Sequence, residues 1–221
     1  MQNLHLLLLP LTYLRYTEKG WNPTTYNEAK NTDHGGIAYC ASKVLAEKAG
    51  WEFMKENSNL SFDLAMINPV LVFGPVEQPV KDMSRLNESA AEVWRYMDGS
   101  NKEVEATGFP IFCDVRDVAE AHLRAYEIPE AGGERFIISA DNFFWEELVH
   151  VLATIPGLEK KVPTVPDKSK WERPDTYKIC TDKSKNVLGL KYRSFEETVR
   201  DTAASLLRKE NEIESKKNIG Q

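Results

Sequence analysis

Apolar residues fall along this chain in short blocks, and the spacing within the blocks changes from one to the next. Residues 4–11 are nearly all apolar and read as a buried strand of an α/β sheet. No basic residue precedes them and the run ends at a proline, unlike a signal peptide, and it is too short to span a bilayer. Asn22-Pro23-Thr24-Thr25 carries turn and helix-start chemistry. Residues 38–57 are rich in Ala, Leu, Lys and Glu without proline, which predicts a long helix. Residues 62–68 begin a near-continuous apolar run, as in a parallel strand covered on both faces. Pro69 is expected to stop that ladder, sending residues 69–73 out as a loop. In open α/β sheets ligands lie beyond the carboxyl ends of the strands, so this loop falls where a ligand would be.

Downstream, residues 86–97 predict a helix, 110–113 a short strand, and 114–123 the start of a helix capped by Asp114. A strand at 135–138, a helix at 144–155, a Pro- and Lys-rich loop at 156–176 and helices at 182–188 and 194–209 follow, before a polar tail read as frayed. Strands alternating with helices argue α/β with a parallel sheet. Only three or four strands are discernible, against about six in a doubly wound sheet. The helices outnumber the strands as though sheet partners were absent.

Composition narrows this further. A chain of 221 residues allows one domain, or one domain and a small lobe. Its charge of −6 and the lack of a basic face argue against nucleic acid and anionic membrane as partners. The three cysteines, Cys40, Cys113 and Cys180, show neither disulfide nor zinc spacing, so a cytoplasmic location is the default expectation. His122 reads as a structural histidine, since no second metal ligand stands at useful spacing.

The candidate chemistry is Tyr39 and Lys43, four residues apart and hence on one side of the predicted helix. A phenol of pKa about 10 is a poor acid near neutrality, and a fixed ammonium beside it lowers that value. Such a pair can give a proton to a carbonyl oxygen. The spacing recurs at Tyr26 and Lys30, within only eight tyrosines, so alone it is weak. Tyr26 reads as part of a solvated turn, whereas Tyr39 follows a Gly35-Gly36 hinge and opens a long helical run. On spacing alone, a catalytic pair and an ordinary helix with Tyr39 packed and Lys43 solvated both stay open.

Three motifs in order carry a family likeness: Tyr39-x-x-x-Lys43, Asn68-Pro69-Val70-Leu71-Val72-Phe73-Gly74-Pro75, and Asp114-Val115-Arg116-Asp117-Val118-Ala119-Glu120-Ala121-His122. With them the chain resembles the extended short-chain dehydrogenase/reductases, and among these the fungal NADPH-dependent methylglyoxal and aldehyde reductases. The resemblance implies the carboxy-terminal part of a Rossmann-type doubly wound parallel sheet plus a small mixed substrate-binding lobe. Residues 1–75 would be a remnant of the dinucleotide-binding domain, and 76–221 the lobe mixed with the last Rossmann strand and helices. It implies hydride transfer from NADPH, less readily NADH, to a small ketone or aldehyde. Tyr39 would be the proton donor and Lys43 would lower its pKa and bond the nicotinamide ribose. Pro69, Val70 and Val72 would line the nicotinamide, and Ser89 matches a position near the cofactor.

The sequence also departs from that pattern. It holds no Gly-x-x-Gly-x-x-Gly turn to cradle a pyrophosphate on a helix amino terminus. No serine stands in residues 9–13, where the family supplies one for the substrate carbonyl; Thr12 is the nearest substitute. Two other readings follow: a non-catalytic fragment serving as an interaction module, and an epimerase or dehydratase of the same superfamily.

Overall fold

A computed structural model of the chain describes residues 14–165, 167–171 and 175–219. The apolar run at 4–11 and Thr12 lie outside the described residues. Among the described residues no helix is long and apolar enough to cross a membrane, and no group of three or more His, Cys, Asp or Glu side chains could hold a metal ion.

The chain opens with β1 (Arg15–Tyr16), α1 (Tyr26–Lys30) and α2 (Gly35–Glu56). The segment around Tyr26 is therefore helical, not a solvated turn. Thr25 makes it so: its hydroxyl accepts from the Glu28 amide at 3.2 Å, and the Glu28 carboxylate accepts from the Thr25 amide at 2.7 Å. Gly35 and Gly36 are likewise the first residues of α2 rather than a hinge before it. First-turn amides lack helical partners in any sequence, and the His34 ring caps this end by accepting from the Ile37 amide.

β2 (Met66–Pro69) and β3 (Leu71–Phe73) form one nearly continuous extended run. The first half pairs in parallel with β5 (Arg135–Ile138), Met66 opposite Arg135 and Pro69 opposite Ile138. The second half pairs in parallel with β4 (Ile111–Asp114), which also takes β6 (Asp141–Asn142) antiparallel. Pro69 thus does not release the chain as a loop. At either end of the pairing the Met66 amide donates to the Glu134 carbonyl, just before β5, and the Val70 amide to that of Ile138. Pro69 sits at the intervening parity, where a missing N–H deprives that ladder of nothing.

α3 (Glu88–Met97), α4 (Val115–Glu127), α5 (Trp145–Ala153), β7 (Lys178–Ile179), α6 (Asp182–Val187) and α7 (Phe195–Ile219) complete the α-helices and strands among the described residues. β7 pairs in parallel with β1. The larger core lies between the β3–β4 sheet and α3, α5 and α7, around Phe73, Tyr96, Phe112, Leu148 and Leu206. Phe143 anchors it, edge-on to Trp145 at 5.0 Å and stacked on Phe195 at 5.3 Å. A smaller cluster joins Cys113, Ala121, Phe136, Ile138, Leu188 and Leu190. α7 runs well past the expected end at residue 209. Its polar tail stays helical because Ile213 is buried and strong helix formers surround it.

Asp114 ties these layers together. Fully buried, it caps α4 by accepting from the Arg116 amide at 2.8 Å, takes both Nε and Nη2 of Arg116, and accepts from Thr198 on α7 at 2.9 Å. Gly74, at φ +115°, has no room for a side chain: a Cβ would stand 2.9 Å from Val115. Thr202 and Ser205 of α7 then hold the loop after β3 by accepting from the amides of Gly74 and Val76 at 2.8 and 2.7 Å.

Burial pushes the Asp114 carboxyl up, but the Arg116 guanidinium and amide and the Thr198 hydroxyl outweigh it and hold it below the usual carboxylate range. A lowered folded value means the contribution is complete above the ordinary carboxylate range and fades as pH falls through the lowered value. Asp114→Ala is expected to destabilise the chain by about 3 kcal/mol, read from urea unfolding near neutral pH, with the difference shrinking in acid.

Candidate active site

The side of the fold that carries Tyr39 and Lys43 is built on α2. Ala41, Val44 and Glu47, three residues apart, form its buried face. Gly50, the next repeat of that spacing, lets the helix pass close to the strand: a Cβ there would meet the end of the Met66 side chain at 2.8 Å. The polar member of the face, Glu47, accepts from Arg135 Nε at 2.5 Å and Nη2 at 3.0 Å, and from Trp51 Nε1 at 3.3 Å. Arg135 in turn donates through Nη1 to the carbonyls of Glu18 and Gly20, and its guanidinium lies 3.7 Å from the Trp21 ring centroid. The Glu18 carboxylate accepts from the Ile137 amide at 3.3 Å, closing the entering segment onto β5.

Burial pushes the Glu47 carboxyl up, but the hydrogen bonds of Arg135 and Trp51 and the arginine's charge bring it below its ordinary value. The Asn68 amide contributes in the same sense, although its Nδ2 is buried without a well-formed hydrogen bond. Asn68 stands immediately before Pro69, so this polar cluster reaches the carboxyl end of β2.

Tyr39 and Lys43 turn away from the buried face. Both are exposed, Tyr39 at 62%. Lys43 Nζ stands 5.2 Å from the centre of the Tyr39 ring, within cation–π reach. The Tyr39 carbonyl accepts from the Ser42 hydroxyl at 2.7 Å, a bond local to the helix. Among the described residues Lys30 makes no such contact with Tyr26, which separates the two copies of the spacing by geometry.

Pro69 is exposed at the end of β2, and Val70 and Val72 are half-buried. Val72 and Ser89 line one cavity of about 80 Å³ together with Gly74, Asn87, Val115 and Thr202. Ser89 is the second residue of α3 and accepts from the Asn87 side chain at 3.0 Å. The structure thus brings together Tyr39 with Lys43, and Val72 with Ser89. Among the described residues no hydrogen bond or ion pair joins the two groups.

Sequence reasoning missed Glu47, Arg135, Glu18 and Thr202. Glu47 left one trace, an acid at the helical spacing set by Ala41 and Val44. Its partner is 88 residues away and no local pattern points to it. Cys113 takes no part in the chemistry: burial pushes its thiol up to about 12.

No family model matches the chain. Individual proteins do. An oxidoreductase of Schizosaccharomyces pombe is 41% identical over 199 residues, 90% of this chain and 57% of that protein. The NADPH-dependent methylglyoxal reductase of Saccharomyces cerevisiae is 36% identical over 204 residues, 90% of this chain and 59% of that protein. A ketoreductase of Aspergillus niger is 37% identical over 201 residues, 87% and 56% of the two chains. The crystal structure of yeast methylglyoxal/isovaleraldehyde reductase complexed with NADPH superposes with a TM-score of 0.79 at 34% identity, over 90% of this chain and 58% of that one. Vestitone reductase of alfalfa, at 21% identity and a TM-score of 0.66, shares the fold. The chain therefore spans under three-fifths of the length of these relatives, in their carboxy-terminal part. These similarities run along nearly all of the chain, whose homologues include fungal NADPH-dependent methylglyoxal reductases and ketoreductases.

Proposed function

We propose that this chain carries the proton-donating side of an NADPH-dependent carbonyl reductase acting on a small ketone or aldehyde. The observation that carries the reading is the Lys43 ammonium 5.2 Å from the centre of an exposed Tyr39 ring. Tyr39 Oη gives its proton to the oxygen of the carbonyl as that oxygen becomes an alkoxide. The Lys43 ammonium, beside that ring, faces the negative charge left on the phenol oxygen as the proton departs. The reduced nicotinamide, when bound, supplies the hydride.

The residues present fit one end of that cofactor. An open phenol–ammonium pair suits the nicotinamide ribose, and Pro69 at the carboxyl end of β2, with Val70 just beyond it and Val72 in β3, suits the nicotinamide itself. Ser89 shares the Val72 cavity and belongs to the same reading. No glycine-rich turn for the pyrophosphate occurs in the sequence. NADPH is favoured over NADH because the yeast relative is described as NADPH-dependent. On this reading residues 1–75 are a remnant of the dinucleotide-binding domain and 76–221 the substrate lobe mixed with the last Rossmann strand and helices, in a protein of the cytoplasm.

A second reading, an interaction module, is favoured by one observation. α2 also exposes Ile37, Leu45 and Phe53, at 40, 36 and 50%, more apolar surface than a solvated helix face carries.

The reading is tested by joining residues 14–221 behind the amino-terminal portion of the yeast methylglyoxal reductase that lies outside the match, and following NADPH oxidation by methylglyoxal. The fusion is expected to turn over, Tyr39→Phe to lower kcat by about 10²–10⁴-fold, and Tyr26→Phe to leave it unchanged. A folded but inactive fusion, or full activity in Tyr39→Phe, contradicts the reading.

A further inference from the structure

We infer that Glu47 and Arg135 are positioning residues: their forked ion pair sets where Tyr39 and Lys43 stand relative to Pro69, Val70 and Val72. The inference rests on the catalytic reading of Tyr39, and it concerns residues to which that reading gives no role.

The geometry runs through two stiff arms that meet at one joint. Glu47 lies on α2 one turn after Lys43 and two turns after Tyr39, about 12 Å along the helix from the phenol-bearing residue. Arg135 is the first residue of β5, opposite Met66 in register, and β2 runs from there to Pro69, about 10 Å farther on. Neither arm has a soft point: one is uninterrupted helix, the other a paired strand. A slip or rotation at the joint is therefore carried to both ends almost undiminished.

The joint is directional. Glu47 is only 9% exposed and Arg135 17%, and two parallel contacts, at 2.5 and 3.0 Å, fix the carboxylate in the plane of the guanidinium. The other face and edge of the guanidinium are occupied by Trp21 and by the carbonyls of Glu18 and Gly20. Arg135 therefore cannot swing to follow a shifted helix without giving up partners on the entering segment. A buried ion pair is weak evidence for stability, because apolar side chains of similar size often serve as well. What apolar side chains do not supply is a fixed angle.

The experiment places a nitroxide on exposed Cys40, next to Tyr39, in the Cys180→Ser chain, and reads paramagnetic relaxation at the methyls of Val70 and Val72. Arg135→Met and Glu47→Gln are each expected to change that enhancement at least about twofold, while the methyl shifts of Val199 and Leu206, in the larger core, stay in place. Arg135→Lys, which keeps the charge but loses the fork, is expected to recover part of it. In the fused reductase described above, Arg135→Met is expected to lower kcat about tenfold at unchanged KM for methylglyoxal. Unaltered relaxation in both Arg135→Met and Glu47→Gln overturns the inference, as does a kinetic loss confined to KM. The relaxation measurement needs no turnover, so an inactive fusion would count against the catalytic reading and leave the positioning claim to be decided by the nitroxide.

Discussion

One guanidinium holds the Tyr39 side of this fold together. Arg135 gathers α2 through Glu47, the entering segment through Trp21 and the carbonyls of Glu18 and Gly20, and the sheet through its own place in β5. Few hydrophobic side chains do this work: of the 22 residues of α2, only Ala41, Val44 and Glu47 are buried. On the other side of the fold the balance reverses. A dense aromatic core around Phe143 carries the packing energy, and the buried carboxylates of Asp114 and Asp117 orient α4 against α7 and the segment before it.

That asymmetry bears on function. A helix anchored by a single polar joint leaves its remaining faces open, and Tyr39, Lys43, Leu45 and Phe53 all stand in solvent. Water screens the attraction between an exposed phenol and the ammonium beside it, and a bound ligand that excludes that water strengthens their interaction. The open face and the proton-donor assignment are thus parts of one account, in which the pair becomes effective when something covers it.

How much of this could be read from the sequence follows from how local each determinant is. The Asp114 cap was legible because the carboxylate and the amide it caps are two residues apart. The α2 helix and the strand at 135–138 were legible from composition and apolar runs. Pro69 misled because its effect depends on which edge of the strand carries the ladder, and the residue alone does not reveal parity. β1 and β7 were invisible: each has two residues, and each is a strand only because the other is beside it. The Tyr39–Lys43 contact was legible as a helical spacing, whereas the Glu47–Arg135 joint was not, since its halves come from different elements.

The most direct test is a titration of the 221-residue chain, labelled at the tyrosine Cζ and valine methyl carbons, with reduced nicotinamide mononucleotide. Tyr39→Phe identifies the tyrosine resonance. The Tyr39, Val70 and Val72 signals should move together along one saturation curve, while Tyr26 stays still. Movement confined to other residues, with Tyr39 unmoved at saturation, would contradict the assignment of this helix face as the nicotinamide side of the site.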